Sequence, residues 1–397
     1  MSTTKQPEIL IAGGGIGGVS LALALSIRGL RSHVFEKAPE FGEIGYGIQL
    51  GPNAHRMLAW LGVIDEIEQQ AVHTENMILI DALTDREVAR IITGPKFSAR
   101  YGAPYIVVHR RDLHGALLEA CRRRGEEIGL HVSKELVDFT ERGNRVVAKF
   151  ADGSEYEGAA LIGADGLRSR VREIVIGAEP PRPAGHVTYR GVVPVDEVKD
   201  KSHFNDMVIW IGPNLHLVQY RLRGGTVMNN VVTVASQKFL RGQTSDYGGP
   251  EEVQEIFAAT TPSVKQMLSY VGMDKNWVLH DREPTLGWTR GRATLLGDAA
   301  HPTLQYLAQG ANMAIEDAVV LAAKLSKANG NTNAALLAYE NDRFYRPARV
   351  TLTSRLFGQI MHSSGGAREL RNHICARRDP DFPLEVDWLY RGIEVEP

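Results

Sequence analysis
The chain has 397 residues, 43% apolar and 23% charged, enough to bury a large core across two or three domains. Its 45 Lys and Arg against 47 Asp and Glu leave a formal net charge of −2, which gives no overall electrostatic reason to bind nucleic acid or an anionic membrane. Two cysteines, Cys121 and Cys375, fit a reducing compartment and offer no disulfide framework, and with no His-Glu-x-x-His spacing no metal site is expected.

In chain order, "EILIAGGG" predicts a short buried strand, "GGVSLALALSIRG" a helix closing at Gly29, and "RSHVFEKA" a second strand, which together make a βαβ unit. The apolar run Val19–Ile27 is far short of the roughly 20 residues of a membrane span. It follows glycines rather than a basic region, so no signal peptide is read and a cytoplasmic location is expected. Between the first strand and the helix stands Gly13-x-Gly15-x-x-Gly18. Gly13 permits a tight turn, Gly15 lets backbone approach a pyrophosphate, and Gly18 lets helix and strand pack closely. Glu36 ends the second strand, where a carboxylate accepts from both hydroxyls of a ribose and disfavours a 2′-phosphate. This predicts a bound dinucleotide without choosing between FAD and NAD.

A polar connection, "FGEIGYGIQLGPNAHRML", leads to a helix over 112–124. Its Arg122, Arg123 and Arg124 read as last-turn cations offsetting the helix dipole, not as a nucleic-acid patch. A hairpin turning at Asp152-Gly153 follows, then a buried strand running into "GADGLRSRVR". Asp165-Gly166, Ser169 and Arg172 stand at the carboxyl end of that strand, where a doubly wound sheet binds ligands, and also read as a plain strand-to-helix turn. From Val187 to about Val234 the runs are strand-like and predict an inserted, mostly antiparallel sheet. In "NLHLVQY", period two puts His216, Val218 and Tyr220 on one face, with His216 and Tyr220 roughly 13 Å apart. "RATLLGDAAH" returns to a buried strand ending in Gly297-Asp298; Asp298 suits a polyol chain or a helix cap. "PTLQYLAQGANMAIEDA" turns on Gly310 and becomes a helix. Near the end, Trp388 and Tyr390 are bulky for a solvent-facing tail and read as cover for the body or for a partner subunit.

The three motifs Gly13-x-Gly15-x-x-Gly18, Asp165-Gly166 and Gly297-Asp298, in this order and at these separations, resemble those of the single-component FAD-dependent aromatic hydroxylases over residues 7–355. "VHRRDLHGAL" matches the same family at Arg110. The resemblance implies an α/β fold with a doubly wound FAD-binding domain (1–73, 101–180, 281–355). It also implies an inserted, mostly antiparallel β-sheet substrate domain (74–100, 181–280) and a helical C-terminal segment (356–397). It implies noncovalent FAD, with Glu36 on the adenosine ribose, Arg110 and Asp298 on the flavin side and Asp165-Gly166 bracing the pyrophosphate region. The N–H groups of Gly310, Ala311 and Asn312 would then face the negative charge of reduced flavin. With no second glycine fingerprint, NADH is expected as a transient reductant. "HLVQY" and "PTLQYLAQG" are most similar to the branch that hydroxylates 3-hydroxybenzoate para to its hydroxyl, giving 2,5-dihydroxybenzoate. That likeness implies His216, Tyr220 and Gln305 around a small aromatic acid, with His216 taking the phenol proton and the other two orienting the ring. A decarboxylating salicylate hydroxylase, and a flavin oxidoreductase acting on other compounds, stay open as alternatives. So does a homodimer.

Overall fold
The computed structural model describes residues 8–42, 45–381 and 384–394. A five-stranded parallel sheet has the order Ala293–Leu295, Ala160–Gly163, Ile9–Ala12, Ser32–Phe35 and Ile128–His131. Parallel strands require crossovers that cover both faces, and Ile9–Ala12 and Ala160–Gly163 are buried along their whole length. The helices Ile16–Ile27 and Gly310–Ser326 pack on one another beside this sheet. Their approach is close because Gly17 has no side chain: a Cβ there would lie 3.3 Å from Ala314 Cβ on the second helix and 2.7 Å from Leu296 Cδ2. The first residues of both helices lie at the carboxyl edge of the sheet. The helix after Ile106–His109 begins at Arg110, two residues before the expected start, with Asp112 as the acidic residue of its first turn.

The second large layer is a seven-stranded sheet ordered Asn276–Asp281, Arg182–Pro194, Val227–Ala235, Leu215–Leu222, Met207–Gly212, Asn76–Asp81 and Glu87–Ile92. It is antiparallel except where Met207–Gly212 runs parallel to Asn76–Asp81. Strand register sorts its residues into two faces. Val187, Tyr189, Leu215, Leu217, Val232 and Val234 pack under the helices Pro250–Phe257 and Pro262–Leu268. The opposite face carries three cross-strand rows: Thr188, Thr233 and His216; then Arg190, Val231 and Val218; then Val192, Asn229 and Tyr220. Two small antiparallel sheets complete the chain, one of them pairing Gly47–Leu50 and Val72–His73 with Ile106–His109.

The helices Tyr345–Met361 and Gly365–Cys375 lead to the short helix Asp387–Tyr390. Tyr390 is buried against the rings of Phe97, Tyr101 and Tyr105, and Asp387 pairs with Arg100 at 2.6 Å. Arg349 lies over the Trp388 ring at 4.1 Å. These aromatics therefore cover the body of their own chain. Among the described residues no helix is long and apolar enough to cross a membrane.

Candidate active site
The glycine turn is closed by steric demand. Gly13 has φ 107° and an added Cβ would sit 2.3 Å from Ala164 O; one on Gly18 would sit 2.0 Å from Gly13 O. Gly15 is the N-cap of Ile16–Ile27, in extended conformation and with no side-chain cap bond, so backbone N–H groups at this helix start are left for an anion. Glu36 ends the neighbouring strand. Its Oε2 accepts from Gly14 N and its Oε1 from Ala38 N, both at 2.9 Å. Each oxygen keeps a further lone pair, so the carboxylate is oriented without being used up. These features fit the adenosine and pyrophosphate half of FAD.

Asp165 does different work. Its carboxylate accepts from Ser169 Oγ, from Arg170 N at 2.7 Å and from Val171 N at 3.1 Å. Burial raises its pKa despite these bonds. It thus fixes the turn into the helix Arg170–Val175. From that helix the buried Arg172, with its pKa pushed down to about 10 by burial, donates to Ala299 O at 3.0 Å and Ala300 O at 2.9 Å. The second motif therefore braces the third.

Asp298 is exposed between buried neighbours, and its Oδ1 lies 3.8 Å from where a Gly310 Cβ would stand. Gly310 begins its helix with no side-chain cap and no acidic residue in the first turn. The Asn312 side chain is occupied, accepting from Gly51 N at 2.9 Å and donating to Gln49 O at 3.0 Å and Ala308 O at 2.8 Å. The second turn of this helix carries two buried carboxylates. Asp317 accepts from Gly297 N at 3.1 Å, from His301 Nε2 at 2.6 Å and from Arg343 Nε at 2.6 Å. Glu316 accepts from Asn53 Nδ2 at 2.8 Å and from Arg346 at 2.7 Å. Breaking one partner of such a buried pair costs about 3–5 kcal/mol, so the Asp298 loop and the Gly310 helix start are held rigidly. Arg110 is exposed at its helix start, with its N–H on Tyr46 O at 2.9 Å.

On this second, buried face of the seven-stranded sheet, the turn Gln305–Leu307 docks across the rows. Gln305 Nε2 donates to Thr188 Oγ1 at 3.0 Å and Thr233 Oγ1 at 2.8 Å, and its Oε1 accepts from Arg190 Nη2 at 3.0 Å. Tyr306 lies against His216, 5.3 Å between ring centroids, and hydrogen-bonds His186 Nδ1. Gln305 and His216 therefore meet at the same row. Tyr220 stands two rows away, where it bonds Gln49 and packs on Gly47. Burial pushes the Tyr220 phenol up to about 12. His216 is buried, its Nδ1 lies 2.8 Å from His362 Nε2, and its pKa is pushed down to about 3 by burial and by nearby His186. A cavity of about 270 Å³ lies beside this cluster: Gln49, Tyr105 and Tyr306 share its wall, whereas His216, Tyr220 and Gln305 do not line it.

Several residues here carry no signal in a motif. Gln49 joins Tyr105 and Tyr220; His362 comes from the C-terminal segment; Asp317 and Glu316 look like ordinary helix charges. Arg190 had one available sign, as the charged residue inside the strand run "TYRGVVPV", in step with Thr188.

The sequence profile of the FAD binding domain family matches residues 6–354. The chain is 44% identical to 3-hydroxybenzoate 6-hydroxylase 1 of Aquipseudomonas alcaligenes, covering 98% of each chain. It is 43% identical to 3-hydroxybenzoate 6-hydroxylase of Polaromonas naphthalenivorans, covering 96% of this chain and 95% of that one. Among solved structures, Klebsiella pneumoniae HpxO complexed with FAD and uric acid superposes with a TM-score of 0.85 at 25% identity, covering 98% of each chain. A salicylate hydroxylase substrate complex shares the fold, with a TM-score of 0.83 at 24% identity over 98% of this chain and 97% of that one.

Proposed function
The chain belongs to the FAD-binding-domain family of single-component aromatic hydroxylases, and from that membership we propose that it hydroxylates 3-hydroxybenzoate at C6 to give 2,5-dihydroxybenzoate. The observation that carries this reading is the docking of Gln305 and Tyr306 onto the row that holds His216, on the sheet face that also bears Tyr220. It gathers groups able to grip a phenol and a carboxylate on the turn that leads into the flavin-side helix start at Gly310.

FAD would be held noncovalently, by Gly13, Gly15 and Gly18 at the pyrophosphate, Glu36 at the adenosine ribose, and Arg110, Asp298 and the Gly310–Asn312 backbone at the flavin. Once reduced by NADH, it would supply the oxygen-transfer chemistry with O₂. The protein's own task is to activate and aim the ring. A phenolate is a far stronger nucleophile than a phenol, so His216 takes the hydroxyl proton on Nε2. In that role its own proton sits on Nδ1 and is donated to His362 Nε2, 2.8 Å away. The same burial opposes the imidazolium that this step forms, so the step relies on the anionic substrate beside the ring. The phenolate pushes electron density to its ortho and para carbons. Gln305 and Tyr220 fix the ring so that the para carbon, C6 beside the carboxylate, faces the flavin.

The test is a panel of aromatic acids with NADH in air. 3-Hydroxybenzoate should stimulate NADH and O₂ consumption; no stimulation by any phenolic acid would contradict the reading.

A further inference from the structure
We infer that Arg190 binds the carboxylate of the aromatic acid, which makes it a specificity residue of the site; this rests on the hydroxylase reading above. Arg190 is half-buried on the covered sheet face, one row from His216 and Thr188, next to Val231. Its polar contact is a single hydrogen bond, Nη2 to Gln305 Oε1 at 3.0 Å, and its guanidinium lies 5.5 Å from the centroid of the Tyr46 ring. Among the described residues no carboxylate pairs with it.

Its electrostatic neighbours are the phenols of Tyr220 and Tyr46 and the like charge of Arg110, and burial adds to the cost of its charge. Other withdrawn arginines of this chain are either paired with carboxylates, as Arg343 and Arg346 with Glu316 and Arg355 with Asp281, or bonded to several backbone carbonyls, as Arg172 and Arg282; Arg190 has neither. A planar guanidinium has five N–H donors and favours bidentate carboxylate binding. Gln305 occupies one donor, and its amide is fixed with the oxygen toward Arg190 because its nitrogen is held by two threonine hydroxyls. Arg190 stands on the row between the threonines that hold Gln305 and the row of Tyr220, the two residues assigned to hold the ring. An anionic substrate brings the missing negative charge, whereas its amide does not.

The experiment compares 3-hydroxybenzoate with 3-hydroxybenzamide in the FAD-loaded enzyme, its Arg190→Met and Arg190→Lys variants, by kcat/KM and by the Kd of benzoate against benzamide. The parent enzyme should favour the acid by about 10- to 100-fold, the size of a charged hydrogen bond. Arg190→Met should bring that ratio close to one, and Arg190→Lys should leave it between. Equal binding of benzoate and benzamide by the parent overturns the proposal without any variant. So does an unchanged ratio in Arg190→Met, including the case where the flavin potential shifts instead, which would assign Arg190 to the flavin. A parent enzyme that turns over no aromatic acid points instead to failure of the hydroxylase reading.

Discussion

His216 and His362 meet at 2.8 Å, Nδ1 to Nε2, in a buried pocket shared with His186 and Tyr306. Burial lowers all three histidines, His216 to about 3, His186 to about 4 and His362 well below its ordinary value. Arg371 adds its positive charge to His362, and only Asp281 opposes the shift at His186. A histidine lowered in the fold takes up its proton more readily in the unfolded chain. Its stabilising share is therefore complete above about pH 6.5 and declines as pH falls toward the folded value. At pH 5 the loss is on the order of 2 kcal/mol for His216 and for His186, each taken singly. The melting temperature should fall between pH 7 and pH 5, and His362→Phe should reduce that fall. A parent profile flat over this range would show that the cluster is not held neutral.

Replacing His216 with Gln should lower hydroxylation by about 10²-fold or more, the usual contribution of a positioned base. The pH–rate profile should also move upward, toward the phenol's own pKa near 10, because the substrate must then ionise unaided. FAD content should be unchanged. If rate and profile match the parent, another group removes the proton.

Gly310→Val tests the helix start. A Cβ at Gly310 would meet Asp298 Oδ1 at 3.8 Å and Thr303 Cγ2 at 3.9 Å, ordinary contacts, so the protein itself tolerates added bulk. The flavin would be held further from the N–H groups that face its reduced, negative form. The two-electron potential should become more negative by about 10–20 mV, the scale of a helix-dipole interaction. An unchanged potential in a folded, FAD-replete variant would remove this helix from the account.

How far the sequence could be read depends on how local each constraint is. Gly13 and Gly18 are legible because their roles are steric and sit within one turn. The shared face of His216 and Tyr220 follows from the period of a strand, and the strand register bears it out. Asp165 looked equally suited to ligand or turn, and only the bonds to Ser169, Arg170 and Val171 reveal the cap. Arg190 resembles any strand arginine until the strands assemble, since the lack of an acidic partner is a tertiary fact. The same holds for His362, 146 residues from His216, and for Glu316 and Asp317, whose partners come from distant segments. Trp388 and Tyr390 were legible as covered, but what they cover depends on the Phe97–Tyr101 surface.

Product identification shows at which carbon oxygen enters the ring. The FAD-loaded enzyme is incubated with NADH and O₂ and either 3-hydroxybenzoate or salicylate, with chromatography of the aromatic product and trapping of CO₂. 3-Hydroxybenzoate should give 2,5-dihydroxybenzoate, with the carboxylate retained and no CO₂ released. Catechol and stoichiometric CO₂ from salicylate, with no 2,5-dihydroxybenzoate from 3-hydroxybenzoate, would contradict it.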